Sequence, residues 1–359
     1  MHRRDSMQEH IPFSAYMSQS LYGQDGYYTS PHRVGTKGDF YTSVSTSRFF
    51  GGGIATYILS LVENGALSLP LRIVEIGADK GYLLGDIALF LDALSEYLLP
   101  QCNFITIEPL PSLAKAQEAH FSTLKSSIPI HFATFTDFTA IPKPQIPTSL
   151  FVITNELFDS FPCEVLSEGK TLYIKQDSHI WSGIWQDVES PALKANDIRI
   201  PNISTFSGVV PLWNSFLTSL AIFAKSHTQS YFMSFDYGSY GIDNALSYNP
   251  RFYHQHNVLT LADFLQEKSD FRTLYQQADI TYDVDFELLH LLLSNVGFKQ
   301  IFSKSQAHVL IEDMHLLALL ESFSAQKSYK HYFREIQKVK TLLHTMGERF
   351  KGICYKLVS

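Results

Sequence analysis

Leu71-Arg72-Ile73-Val74-Glu75-Ile76-Gly77-Ala78-Asp79-Lys80-Gly81 is the stretch that decides the fold of this chain. Ile73 to Ile76 is a short apolar run of the kind that forms a buried parallel strand. It stops at Gly77 and Gly81. Beyond them Leu83, Leu84, Ile87, Ala88, Leu91 and Leu94 recur at helical spacing, which gives that segment one apolar face. Strand, glycine turn and helix, in that order, predict the first βα unit of a doubly wound, Rossmann-like α/β sheet. Ligands of such sheets sit beyond the carboxyl ends of the strands. Glycine in the turn lets a ligand approach the backbone, and the helix N-terminus offers free N–H groups.

The spacing and the acids of the turn narrow the ligand. A pyrophosphate-binding turn reads G-x-G-x-x-G, whereas this one reads Glu75-x-Gly77-x-Asp79-x-Gly81. A carboxylate inside the turn repels a pyrophosphate and suits a cation. The amino and sulfonium groups of S-adenosylmethionine (SAM) meet that requirement. The alternative is an ordinary structural turn.

Working outward, Asn103-Phe104-Ile105-Thr106-Ile107-Glu108 is a second apolar run that ends in an acid. It follows the first by about 30 residues, as a βαβ unit requires. An acid there can accept the hydroxyls of a ribose, and Glu108 is assigned that role over a solvated strand end. Leu113 to Leu124 reads as the crossover helix and Ile130 to Ala133 as a third strand. Thr134 to Phe138 then lies where an adenine ring would rest. Ser149 to Thr154 is a fourth buried strand, followed at once by Asn155-Glu156-Leu157-Phe158-Asp159-Ser160-Phe161-Pro162. Polar side chains directly after a buried strand are costly unless partnered. Asn155 suits a helix N-cap, but a cap leaves Glu156 and Asp159 unexplained.

Further on, Cys163 to Val188 reads as β-hairpins, with Trp181 and Trp185 as packing residues. Pro211 to Ala224 is an amphipathic helix, and Tyr231 to Phe235 returns to the sheet and ends in Asp236. Ser239 to Asp283 is too long for a simple crossover. His254 and His256 lie in it, without a third residue at metal-ligand spacing. A helix through Leu293 stops at Gly297, and Phe298–Phe302 and His308–Ile311 read as closing strands. Near the end Tyr329, Tyr332, Ile336, Val339, Leu343 and Met346 form a helical stripe that packs on the domain, with a homodimer seam as the alternative.

Composition excludes several classes. The 359 residues are 45% hydrophobic, 14% aromatic and 18% charged, a globular balance. The formal charge of −7 argues against general nucleic-acid affinity. Cys102, Cys163 and Cys354 form no CxxC pair, so a reducing compartment and no structural metal are expected. No secretory signal and no membrane-spanning run is visible, so a cytoplasmic location without membrane insertion is expected. Phe13 to Tyr57 is rich in Tyr, Gly, Ser and Thr, and Gly38-Asp39-Phe40-Tyr41-Thr42-Ser43 sits in its middle. Residues 1–62 are expected to form an N-terminal lid over the ligand turn, and 63–359 the main domain, with insertions at about 163–210 and 239–283.

These blocks, in this order, resemble the MidA-like family of SAM-dependent methyltransferases, which includes a mitochondrial assembly factor for respiratory complex I. The matching residues are Gly38–Ser43 with Phe50-Gly51, Glu75-Ile76-Gly77 with Gly81, and Glu108 with Leu113 and Gln117. They continue through Asn155–Pro162, Asp236-Tyr237-Gly238, Asp279-Ile280-Thr281 with Val284-Asp285-Phe286, and Met346-Gly347-Glu348 with Phe350-Lys351. The family usually has glycine where Asp79 stands and a Pro-Glu pair where Val44 and Ser45 stand. The resemblance implies SAM held by Gly38, Asp39, Thr42, Glu75, Gly77, Asp79, Gly81, Glu108 and Asn155. It also implies methyl transfer to a protein side chain, arginine favoured because the mitochondrial relative methylates an arginine of a complex I subunit.

An arginine acceptor poses a chemical problem. Guanidinium stays protonated in water, so its nitrogens are poor nucleophiles. Carboxylates that fix the planar fork and take up the proton solve it. Asn155, Glu156, Asp159 and Asp236 are the catalytic candidates. Two readings compete: a SAM-fold assembly chaperone with weak or no turnover, suggested by Val44, Ser45 and Asp79, and a nucleotide-dependent oxidoreductase, opposed by the missing G-x-G-x-x-G.

Overall fold

The computed structural model describes residues 9–29, 43–187, 190–199, 204–241, 246, 249–324 and 329–358. They divide into two compact units. One holds the described residues of Met1–Phe40, Phe158–Phe216 and Gly241–Asp283. The other holds those of Tyr41–Leu157, Leu217–Tyr240 and Val284–Ser359.

The second unit is built on one sheet. Its strands are β1 (Leu71–Ile76), β2 (Cys102–Ile107), β3 (His131–Phe135), β4 (Ser149–Asn155), β5 (Ser230–Ser239), β6 (Phe298–Ser305) and β7 (Phe350–Leu357). They lie side by side in the order β6-β7-β5-β4-β1-β2-β3, and Val284–Asp285 adds a short pairing at the end of β5. β1 to β5 run parallel, and β7 is antiparallel to both β5 and β6. β1 pairs with β2 on one side and β4 on the other, so the strand order reverses there. That reversal opens a crevice outside the carboxyl ends of β1 and β4.

The apolar runs of β1 and β4 are continuous because helices cover both faces. Ile73, Val74, Leu150, Phe151 and Ile153 are fully buried. The helices of this unit include α1 (Phe49–Glu63), α2 (Tyr82–Leu94), α3 (Pro111–Leu124), α4 (Asn214–Ala224), which begins in the first unit, and α5 (Phe286–Asn295). The stripe expected on α2 is the buried one, through Leu83, Leu84, Ile87, Ala88 and Leu91. α1 lies close on α2, since a Cβ at Gly51 would fall 2.8 Å from the Cβ of Asp86. Asp285 caps α5 by accepting from the Glu287 and Leu288 N–H groups. The C-terminal stripe packs within its own unit, with Val339 and Met346 in the core around Phe49, Phe104 and Phe151 and Leu343 partly buried against it; Leu342, outside the stripe, is buried there too. The side chains of Tyr329 and Tyr332 lie outside the described residues.

Two local expectations need correction. His308–Ile311 is not a closing strand; Gln306–His308 is helical and a π-turn runs from Val309 to Asp313. A four-residue apolar run fits a buried helical turn as well as a strand, and Lys304 holds the turn through Glu312 and Asp313. The second closing strand is instead β7, masked in sequence by Lys351, Gly352 and Lys356. The helix expected from Pro211 starts at Asn214, because Ser207–Pro211 pairs as a strand with Cys163–Ser167.

The first unit is antiparallel. Lys170–Gln176 pairs with Glu9–Pro12, Cys163–Ser167 and Trp181–Gln186, and Gly169 turns the expected hairpin at φ 81°. Asn257–Thr260, Arg251–His254 and Asp279–Thr281 form a second sheet. Trp181 packs edge-on to Tyr275 at 5.0 Å. Glu9–Pro12 and the helix Phe13–Tyr22 thus belong to the first unit, whereas Ser43–Thr46 and α1 belong to the second. The expected segment 1–62 is divided between them, and 163–210 and 241–283 fall in the first unit. Among the described residues no helix is long and apolar enough to cross a membrane, and no group of His, Cys, Asp and Glu is arranged to hold a metal ion.

Candidate functional site

The turn after β1 is left-handed at three alternate residues: Gly77 at φ 70°, Asp79 at φ 44° and Gly81 at φ 79°. Such angles favour glycine and are tolerated by Asp. A Cβ at Gly77 would come within 2.9 Å of Leu157 Cδ1, and one at Gly81 within 2.9 Å of Phe121 Cε2. The left-handed conformation favours glycine at both positions, and the Phe121 ring crowds the second. Glu75, in β1, is 3% exposed and accepts the Leu84 N–H at 3.1 Å. Burial pushes its carboxyl up to about 8 against that hydrogen bond, and the charges of Asp79 and Glu108 add to the rise.

Glu108 follows β2, and its N–H donates to the Phe135 carbonyl at 2.8 Å. Its carboxylate accepts the Leu110 N–H at 3.0 Å and the Gln117 amide at 3.2 Å. Burial pushes it up to about 7, opposed by those two hydrogen bonds and assisted by Asp79. The same Gln117 amide donates to the Asp79 carbonyl at 2.8 Å. Gln117 therefore ties the end of β2 to the turn after β1. Sequence reading matched Gln117 to a family block without giving it a role. Its signal lies on α3, where only Gln117 and Phe121 are fully buried.

At the end of β4, Glu156 takes φ 52° and its N–H donates to the Phe235 carbonyl at 2.8 Å. Its Oε1 accepts from Asn155 Nδ2 at 3.1 Å and from the Ser43 N–H at 3.2 Å. Ser43 is fully buried and donates its hydroxyl to Gln306 Oε1 at 3.0 Å, and Gln306 donates in turn to the Leu342 carbonyl at 3.3 Å. Nothing in the sequence pointed to Gln306. Asp236 is fully buried; its Oδ2 accepts the Leu157 N–H at 3.1 Å and its Oδ1 the Tyr237 N–H at 2.8 Å. Those bonds hold the chain where it leaves β4. Gly38, Asp39 and Thr42, assigned to the cofactor in the sequence, lie outside the described residues.

Asp159 belongs to the first unit, in the short turn Phe158–Ser160. The three carbonyls of that turn accept from Trp213 Nε1 at 3.2 Å, the Tyr282 N–H at 3.1 Å and the Tyr22 hydroxyl at 2.9 Å. Burial holds the Tyr28 and Tyr282 hydroxyls well above their usual range, and the Asp159 carboxylate adds to both shifts. The structure thus brings Glu75, Gly77, Asp79, Gly81, Glu108, Asn155, Glu156 and Asp236 to one edge of one sheet, and Asp159 to a different unit.

The second-unit residues fit a polar, cationic ligand. Asp79 Oδ1, Gln117 Oε1 and Asn155 Oδ1 are buried with no hydrogen-bond partner among the described residues. Unpaired buried polar atoms are rare and demand an explanation. All three are acceptors, and they stand by the ends of β1, β2 and β4, where this fold class binds ligands.

Comparison with known proteins agrees. Residues 53–302 match the family described as "Putative S-adenosyl-L-methionine-dependent methyltransferase". This chain belongs to that family. SAM, the ligand that the turn after β1 predicted, is the family's cofactor. The chain is similar to "Protein arginine methyltransferase NDUFAF7, mitochondrial" of Xenopus tropicalis, 24% identical over 381 residues that cover 95% of this chain and 81% of that protein. It is 25% identical to the Drosophila melanogaster homolog over 189 residues, 50% of this chain and 40% of the other. The chain thus spans less than half of the fly protein's length. A crystal structure of a Burkholderia thailandensis protein bound to S-adenosyl-homocysteine has the same fold, with a TM-score of 0.71 at 19% identity, covering 96% of this chain and 87% of that one.

Proposed function

We propose that this protein transfers the methyl group of SAM to a protein side chain, with an arginine of a respiratory-complex subunit as the favoured acceptor. The observation that carries the reading is Glu156, a half-buried carboxylate at the carboxyl end of β4, held by Asn155 and the Ser43 N–H beside the unsatisfied Asn155 Oδ1. The names of the NDUFAF7 relatives support arginine as the acceptor. A cytoplasmic location belongs to the same reading.

SAM supplies an activated methyl on a sulfonium, so the protein's work is to place the acceptor, exclude water and manage one proton. Glu108 accepts ribose hydroxyls, and Gln117 keeps that carboxylate in place. Glu156 accepts hydrogen bonds from the guanidinium and takes its proton as the nitrogen–carbon bond forms and the electron pair of the carbon–sulfur bond returns to sulfur. Asp236 is a positioning residue, since both its oxygens hold backbone N–H groups. Asp159 is the second carboxylate candidate.

The test compares protein methylation by mass spectrometry in cells lacking the protein, complemented with wild type, Glu156→Gln or Asp159→Asn. Wild type should restore a methyl group that Glu156→Gln does not. That variant should keep SAM affinity within a few-fold and lose at least about a hundredfold in rate, the lower end for losing a general base. Full methylation by Glu156→Gln would overturn its role. No methylation difference at all, with a partner complex rescued by the mutants, would leave the assembly chaperone.

A further inference from the structure

The Asp79 carboxylate accepts a hydrogen bond from the Lys80 N–H, next in the chain, and that bond leaves part of its acceptor capacity unused. The Asp79 backbone is held separately, by the Gln117 amide on its carbonyl. Its side chain leaves Oδ1 buried without a partner among the described residues. The charged groups facing it are Lys80, next in the chain, and the two buried carboxylates Glu75 and Glu108. Asp79 adds to the upward shift of both, so the cluster is a costly setting for a third acid. Gln117 is fully buried, donates to Glu108 and to the Asp79 backbone, and keeps an unsatisfied Oε1. The crevice therefore gathers acids and unsatisfied acceptors where the fold class binds its ligand.

SAM loses one positive charge when its methyl leaves: the sulfonium becomes a neutral thioether, while the amino and carboxyl groups of the ligand are unchanged. We propose that Asp79 is a specificity-determining residue that favours the charged cofactor over its demethylated product, so that methyl transfer itself loosens the product. This rests on the assignment of the crevice to SAM. Attraction between unit charges weakens with distance and strengthens as water is excluded. A half-buried carboxylate therefore distinguishes the two ligands by charge.

Calorimetric titration of the full chain with SAM and with S-adenosyl-homocysteine tests this, for wild type, Asp79→Asn and Asp79→Gly. Asn tolerates the left-handed angle nearly as well as Asp and keeps the shape and an acceptor oxygen, so it removes the charge alone. Asp79→Asn should weaken SAM about tenfold, the effect of a charge pair at a partly screened site, and leave the product within about twofold. Asp79→Gly should do the same, which separates charge from fit. Equal weakening of both ligands, or of neither, would overturn the proposal and leave the cofactor assignment standing. Failure of wild type to bind either ligand would overturn both.

Discussion

Glu75→Gln isolates a buried acid of the second unit that is held in an unfavourable setting. Glu75 is 3% exposed, with one backbone hydrogen bond and two acids nearby. Its folded-state value is pushed up to about 8 from an ordinary 4.5. A raised carboxyl holds its proton longer in the folded chain than in the open one. The folded chain therefore binds more protons between those values, and stability falls as pH rises through the window. The contribution is fully present below about 4.5 and has been lost once pH passes about 8. Each pH step inside the window costs about 1.4 kcal/mol. Between pH 6 and 8 the loss is therefore about 2 kcal/mol, less than the full two steps because ionisation in the folded chain relieves it near the end. Glutamine keeps an acceptor for the Leu84 N–H and cannot ionise. Urea unfolding at a series of pH values should show the variant gaining on wild type by about 2 kcal/mol over that range. Saturating SAM should shrink the gap, because a bound cation favours the charged form. Parallel stability curves for the two proteins would refute the claim that Glu75 is held protonated by burial.

Glu108→Ala should weaken SAM by about 1–3 kcal/mol in calorimetry, the cost of a lost hydrogen bond to a charged group, and an unchanged affinity would remove Glu108 from the ribose. Gln306→Leu breaks the link from Leu342 to Ser43 while filling the same buried space. It should speed hydrogen exchange across residues 43–50 and slow methyl transfer more than it weakens SAM; normal exchange there would show that Ser43 is held without it.

The sheet was legible because its decisive strands are continuous apolar runs that end in glycine or acid. Glu75, Gly77, Gly81, Glu108 and Asn155 each announce themselves by position at such an end. β7 was not legible, since its buried centre, Ile353-Cys354-Tyr355, is flanked by Gly352 and Lys356 and carries no alternating pattern. The residues that tie the site together were harder to see for a different reason. Gln117 and Gln306 act across long stretches of chain, on Asp79 and on Ser43, and a single glutamine in a helix has no spacing to betray that. The division of the chain into two units was hidden as well, because the first unit is assembled from three separate segments.

The acids at the two strand ends have different freedoms, and that difference bears on the chemistry. An arginine acceptor needs a carboxylate that can meet its N–H groups and accept a proton. Asp236 gives one oxygen to the Leu157 N–H and the other to Tyr237, and it is fully buried. Protonating it would weaken the bonds that set the course of the chain after β4, so its geometry argues for holding rather than transferring. Glu156 receives both its Asn155 and Ser43 bonds on the single oxygen Oε1, and it is only half-buried. Two donors on one oxygen fix the direction of the carboxylate plane. The left-handed backbone at Glu156, φ 52°, is unusual for a residue of its size. Leu157 N–H on Asp236 and Glu156 N–H on Phe235 brace that conformation from both sides. In the proposed reaction Asp236 therefore acts through the backbone it restrains, and Glu156 is the group that this restraint presents.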